Sequence, residues 1–330
     1  MTGIYRPKVK IAVASSFEGI VNNGATECAL TSFNAYQQMM EGGGKFFGGV
    51  VEPKDIGQIR DTEHFRAFLA LRPLVGVAED YVTVLQVLEQ CPGQVRKMLN
   101  HPADEAAYVP LIEKFYELRG QQPVLRQRFG IGKESAFYRE RKRMQDADMT
   151  AWMGTQEPYA DSIAQFRMLV DTQERVDGAA NSYEAVTRGF VPWFATSKDE
   201  ASTFLLCQIY TRTDRMERAA LAEDGRVRCV ISRDRLIGME TVPDRDKVKQ
   251  LTVIAEREGV PHPQVWRIED RYDTKQQLEL RDAGFHTQFI VPGYMFPHDI
   301  RRATKDRNVV VLGRSNFAAQ LGGFAEAWRY

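Results

Sequence analysis

In the second half of the chain, short β-rich runs alternate with segments of helical periodicity, and this alternation limits the available folds more than any other feature. The β-rich runs are Gly189–Ala195, Arg226–Ile231, Gln264–Ile268, Thr287–Val291 and Asn308–Leu312. Between and after them lie the amphipathic segments Asp199–Thr211, Asp244–Glu258, Thr274–Ala283, Pro297–Lys305 and Ser315–Trp328. Parallel strands need crossovers long enough to hold a helix, so this order predicts a parallel sheet covered by helices. Val9–Ala14 reads as a further strand of the same sheet, with a helix over Thr26–Met40. From Asp61 to about Gln173 the pattern is helical and almost free of strand signal, with segments at Asp61–Leu71, Val77–Gln90, Pro102–Arg119 and Glu134–Trp152.

The expected fold class is therefore α/β: a Rossmann-like parallel sheet core with a large α-helical domain inserted after the first strand. Residues 1–45 and 156–330 form the discontinuous sheet domain, and residues 46–155 the helical insert. A length of 330 residues suits two such units. The stretch Gly42-Gly43-Gly44-Lys45-Phe46 resembles a phosphate loop only at a glance, because Phe46 stands where Ser or Thr is required and no strand leads in; it reads as a flexible hinge or turn.

Lys plus Arg and Asp plus Glu both number 44, a balance that argues against a protein built to coat nucleic acid or anionic lipid. The apolar stretches are far short of a spanning helix, and Ile11–Ala14 is too short for a signal peptide. Cys28, Cys91, Cys207 and Cys229 lack metal-type spacing and are expected to be reduced, which with the rest points to the cytoplasm. The five histidines show no ligand spacing, so no histidine metal site is expected. The basic run Arg139–Arg143 reads as a solvated helix face, with contact to an anionic substrate as the alternative. The aromatics Phe65, Phe68, Tyr81, Tyr108, Phe115 and Tyr116 read as the insert's own core.

In an open parallel sheet, ligands bind beyond the carboxyl ends of the strands. The first strand ends in Ser15-Ser16-Phe17-Glu18-Gly19, the second in Thr196-Ser197-Lys198, and the strand at Gln264–Ile268 in Glu269-Asp270-Arg271-Tyr272-Asp273. Lys247 and Lys249 lie early in the helix before that acidic end. Carboxylates suit Mg²⁺, while hydroxyls and ammonium groups suit a phosphate. Glu269 and Asp270 are the leading metal candidates, with Asp273 either a third ligand or the cap of the following helix. Thr196 and Ser197 either bind an anion or cap the helix that begins near Asp199.

The order of these segments resembles the haloacid dehalogenase superfamily of phosphohydrolases, phosphomutases and dehalogenases. Its first motif, an apolar strand followed by Asp-x-Asp-Gly, is matched by Ile11–Ser15 and then Ser16-Phe17-Glu18-Gly19-Ile20. A strand ending in Thr or Ser corresponds to Trp193–Ser197, the motif lysine to Lys247 or Lys249, and the acidic strand end to Ile268-Glu269-Asp270 with Asp273. The final two strands correspond to Phe289–Tyr294 and Asn308–Leu312, so the likeness covers about residues 8–40 and 158–320. It implies a Rossmann-like core, a mobile helical cap that selects substrates, and usually Mg²⁺.

One departure bears on mechanism. Where the resemblance puts an aspartyl nucleophile that also ligates the metal, this chain has Ser16, whose hydroxyl has a high pKa and no evident base beside it in sequence. Ser16 is thus a ligand-binding hydroxyl, a relic of the lost nucleophile or, least favoured, a nucleophile itself. Glu18 keeps the carboxyl of the implied general acid and base, one methylene longer. Mg²⁺ binding should be weakened by the loss at position 16. Three functions follow. The first is a divergent protein that binds a small anionic metabolite between core and cap, with Glu18 as acid or base and no phosphoaspartate. The second is a pseudoenzyme with a binding or regulatory role. The third is a phosphatase using water activated by Glu18 and a metal on Glu269 and Asp270.

Overall fold

The computed structural model describes residues 10–40, 46–174, 190–213 and 231–328. The chain divides into two compact units, Met1–Asn22 with Pro158–Tyr330, and Asn23–Glu157. The helix α1 (Ala25–Met39) falls in the second unit, whereas the sequence boundary at residue 45 groups it with the sheet.

The first unit is a Rossmann-like α/β domain. Its strands β1 (Ile11–Ser15), β4 (Phe190–Ala195), β5 (Leu236–Ile237), β6 (Val265–Glu269), β7 (Gln288–Ile290) and β8 (Val309–Val311) form one six-stranded sheet in the order β5-β4-β1-β6-β7-β8. Every pairing is parallel. Strands β2 (Asn22–Asn23) and β3 (Glu157–Pro158) form a separate two-stranded ribbon.

Helices cover both sheet faces. On one, Leu251, Ile254 and Ala255 of α11 (Lys247–Glu258) and Leu280 of α12 (Thr274–Asp282) join Ala12, Ala14, Val191, Trp193 and Val265 in one apolar cluster. On the other, Trp266 packs with its ring 5.5 Å from those of Phe190, Phe289 and Phe324, the last from α14 (Phe317–Trp328). Phe166 of α9 (Ala160–Glu174) reaches Phe194 and Phe317 on the same side. Among the described residues this unit also holds the helices α10 (Glu200–Thr213) and α13 (Pro297–Lys305).

This strand order fixes where a ligand belongs. From β1 the chain moves to β4 on one side, whereas β6 lies on the other, so the winding direction switches at β1. Ser15 is in register with Phe194 of β4 and with Ile268 of β6, which brings three carboxyl ends to one level around the switch point.

The second unit is helical: α1, α2 (Glu63–Leu71), α3 (Asp80–Gln90), α4 (Pro92–Asn100), α5 (Val109–Gln121), α6 (Pro123–Gly130), α7 (Ala136–Ala147) and α8 (Met149–Met153). Phe65, Phe68, Tyr81 and Phe115 are buried in it as expected, but Tyr116 is exposed. The basic run forms ion pairs within this unit. Arg141 makes a buried, two-pronged bond to Glu27 at 2.8 and 2.9 Å, Arg143 joins Glu140 and Glu52, and Lys142 pairs with Asp146.

The element ends differ from the sequence reading for local reasons. The segment expected as one helix over Glu134–Trp152 is broken at Asp148, whose carboxylate accepts from Ala151 N at 2.9 Å and starts α8. Pro102–Arg119 divides into a 3-10 turn capped by Asp104 and then α5. Helices α4 and α6, not foreseen, each start on a proline, which is preorganised for a first helical turn. The expected strand Arg226–Ile231 lies outside the described residues except for Ile231, as do residues 41–45 of the glycine-rich stretch, Gly189 and Cys229. Next to β4 stands β5, only two residues long and too short to give a periodic signal.

Candidate functional site

The loop after β1 is a tight turn built around Phe17 and Gly19. Val21 N and Asn22 N both donate to Phe17 O, at 3.0 and 3.1 Å, and Gly19 N donates to Asn22 O at 2.8 Å. Gly19 has φ +78°, and a Cβ there would fall 2.2 Å from Asp270 Oδ2, so only glycine fits. Phe17 is fully buried against Phe194 and Tyr210, which anchors the loop beside the position of Glu18.

Glu18 is held from two directions. Lys198 Nζ donates to Glu18 Oε1 at 2.7 Å, and Asn22 Nδ2 donates to the same oxygen at 2.9 Å. The Lys198 side chain is 2% exposed and that of Glu18 20%, so the ammonium is buried and the carboxylate partly open. Tyr210 Oη donates to Asn22 Oδ1, which fixes the orientation of the amide that serves Glu18.

At the end of β4 the hydroxyl of Thr196 accepts from Lys198 N at 3.1 Å, and its carbonyl accepts from Gln250 Nε2 at 2.8 Å. Thr196 therefore shapes the turn that carries Lys198. Neither Thr196 nor Ser197 caps α10; Asp199 does so, accepting from Ser202 N at 2.7 Å. Ser197 sits half-buried in the same turn. The two lysines of α11 separate. Lys247 Nζ donates to Ala195 O at 2.7 Å, at the strand ends, while Lys249 pairs with Asp244 on the surface. Burial pushes the Lys247 ammonium down from its ordinary value, against the opposing pull of Glu269 and Asp270.

At the end of β6 the side chains of Arg267 and Glu269 share one sheet face, two residues apart. Ser16 Oγ donates to Glu269 Oε1, and Arg267 Nη2 donates to Glu269 Oε2 and to Gln276 Oε1. Burial alone would raise the Glu269 carboxyl, but the Arg267 and Lys247 charges hold it well below the usual range. Asp270 is buried against Gly19 and Gly293, where a Cβ on Gly293 would meet Gly19 O at 2.3 Å and Asp270 Cβ at 2.9 Å. Asp273 is exposed and caps α12, accepting from Lys275 N and Gln276 N at 3.0 and 3.2 Å.

Ser16, Glu18, Thr196, Lys247, Glu269 and Asp270 thus gather at the ends of β1, β4 and β6, with Ser197 in the adjoining turn, while Lys249 and Asp273 are spent elsewhere. The donor set does not fit the Mg²⁺ implied by the family resemblance. Both oxygens of Glu269 are engaged by Ser16 and Arg267, the Asp270 side chain is hydrogen-bonded to Glu269, Asp273 is turned to its helix, and position 16 offers a hydroxyl. Among the described residues no group of three or more His, Cys, Asp or Glu side chains is arranged to hold a metal ion.

Sequence reasoning named Lys198 only as part of a strand end, without a role, and passed over Arg267, Asn22, Tyr210 and Arg314. Arg267 was readable from strand alternation, two residues before Glu269. Arg314 gave no local signal. Its guanidinium donates to Ile20 O at 2.7 Å, Pro292 O at 2.8 Å, Gly19 O at 2.9 Å and Ser162 Oγ at 3.3 Å, and it lies 3.8 Å from the centre of the Tyr159 ring.

No family model matches the chain, and no curated protein matches it. Solved structures do resemble it. One is a predicted phosphoglycolate phosphatase from Haemophilus somnus 129PT, 11% identical at a TM-score of 0.48, over 95% of this chain and 98% of that one. Another is a haloacid dehalogenase-like family hydrolase from Streptococcus pneumoniae, 8% identical at 0.45, over 94% and 98%. A third is a predicted phosphatase from Clostridium acetobutylicum, 12% identical at 0.44, over 95% and 99%. These likenesses are too distant to bear on chemistry. Among the described residues no helix is long and apolar enough to cross a membrane.

Proposed function

We propose that this chain is a divergent haloacid dehalogenase-like protein that binds a small anionic metabolite at the carboxyl ends of β1, β4 and β6, without forming a phosphoaspartate. The observation that carries this reading is the meeting of Ser16, Glu18, Lys198, Lys247 and Glu269 around the switch point of the sheet. Hydroxyl and ammonium groups are the natural partners of a phosphate or carboxylate. Glu18 is the candidate acid or base of any reaction, because its carboxylate is positioned by Lys198 and Asn22 and is partly open. Ser16 donates its hydrogen to a carboxylate kept ionised by Arg267. Such a carboxylate is a weak base, which argues against a serine nucleophile.

A second reading, a non-catalytic binding or regulatory protein, draws support from the internal pairing of Glu18 with Lys198 and of Glu269 with Arg267. The third, water activated by a metal on Glu269 and Asp270, has the poorest donor set. Phosphate release from a panel of phosphomonoesters, run on the wild type and Glu18→Gln, separates them. The main reading predicts that any turnover is lost in the variant and that acid-quenched protein carries no phosphate on Ser16. Phosphoserine at Ser16 would overturn it. Ligand binding with no turnover from any ester would select the binding role.

A further inference from the structure

We infer that buried side-chain cations take the place of a divalent metal in this site, so that the sheet edge receives a small oxyanion held by Lys247 beside an Arg267–Glu269 pair. This rests on the reading above that the edge binds an anion. It concerns what supplies the positive charge there.

Arg267 carries the argument. It occupies a strand flanked by β1 and β7, between Trp266 and Ile268, where an apolar side chain would be ordinary, and it is 3% exposed. A guanidinium is buried at such a place only with a counter-charge, and Glu269 provides it. The bond uses the Glu269 oxygen left over by Ser16, so the carboxylate that a metal would need is already neutralised by a fixed cation.

The balance of donors and acceptors points the same way. Glu18 Oε1 accepts twice, and Glu269 accepts on both oxygens. Donors remain instead: Arg267 Nη1 is buried without a hydrogen-bond partner, and the ammonium of Lys247 spends one of its three N–H groups on Ala195 O. The donors left on Arg267 Nη1 and Lys247 are complemented by an acceptor-rich ligand, an oxyanion.

The test is thermal unfolding of the full chain with inorganic phosphate, in EDTA and separately with Mg²⁺, together with Mn²⁺ binding followed by electron paramagnetic resonance. The expected result is a phosphate-dependent rise in Tm of about 2–4 °C that is the same in both buffers, with no immobilised Mn²⁺. Lys247→Met should lose the rise. Lys249→Met, the same change at a surface lysine of the same helix that pairs with Asp244, should retain it. The double variant Ser16→Asp with Arg267→Met should gain Mn²⁺ binding. A phosphate effect only with Mg²⁺, or Mn²⁺ bound by the wild type and lost in Glu269→Gln, would overturn the inference and leave the anion-site reading standing. No phosphate effect in either buffer would overturn both.

Discussion

Lys198 Nζ and Glu18 Oε1 lie 2.7 Å apart, joining the end of β4 to the loop after β1 across 180 residues of sequence. The lysine is buried and the glutamate partly open, so the pair should act as a unit. Lys198→Met and Glu18→Gln are each expected to destabilise, and a double-mutant cycle by urea unfolding should give a coupling of about 1–2 kcal/mol. Additive effects would mean that the two side chains do not depend on each other.

The turn that carries Glu18 depends on glycine at position 19. Gly19→Ala places a Cβ 2.2 Å from Asp270 Oδ2 at φ +78° and should cost about 2–3 kcal/mol. Gly323, in α14, has nothing within 4 Å of an added Cβ, so Gly323→Ala should stabilise by about 0.5–1 kcal/mol. Denaturant midpoints of the two variants should move in opposite directions.

Arg314 ties the loop after β1 to the loop after β7 through three carbonyls. Arg314→Lys keeps the charge but cannot reproduce the planar fork of donors. It should lose most of the contribution of these bonds, about 1–3 kcal/mol, and weaken anion binding as Glu18 shifts. If binding and stability in Arg314→Lys matched the wild type, the fork would have no role in setting the loop.

The fold was legible because strand–helix alternation survives at β4, β6, β7 and β8, where aromatic and β-branched runs are bounded by helices with clear caps. Asp246 and Asp273 stop α11 and α12 from extending backwards, and both are visible in sequence. β5 was not legible, since two residues carry no period. The site was legible to the extent that it follows strand ends: Ser16, Glu18, Thr196, Lys247 and Glu269 could be placed once the sheet was. What escaped was partner choice. Nothing in sequence says that Lys247 turns inward and Lys249 outward to Asp244, or that Lys198 seeks Glu18. The inward partners, Ala195 for Lys247 and Glu18 for Lys198, lie 52 and 180 residues away in the chain.

The pH dependence of Glu269 follows from its position. Its folded carboxyl lies below the unfolded value of 4.5, so its contribution is complete above that value and is lost as pH falls toward the folded one. Glu269→Gln leaves Arg267 buried without a counter-charge and should cost about 3–5 kcal/mol at pH 7. The gap between wild type and variant, measured by urea unfolding, should narrow steadily below pH 4.5. A gap independent of pH would mean that the stabilisation does not come from the ionised carboxylate.

The central claim, that an anion is bound at the ends of β1, β4 and β6, is tested most directly by a crystal structure in the presence of tungstate, a heavy mimic of phosphate, with EDTA present. The account predicts one ordered tungstate within hydrogen-bonding distance of Lys247 and the Ser16 or Thr196 hydroxyl, absent from crystals of Lys247→Met. Tungstate bound only elsewhere on the molecule, or unaltered by that substitution, would contradict it.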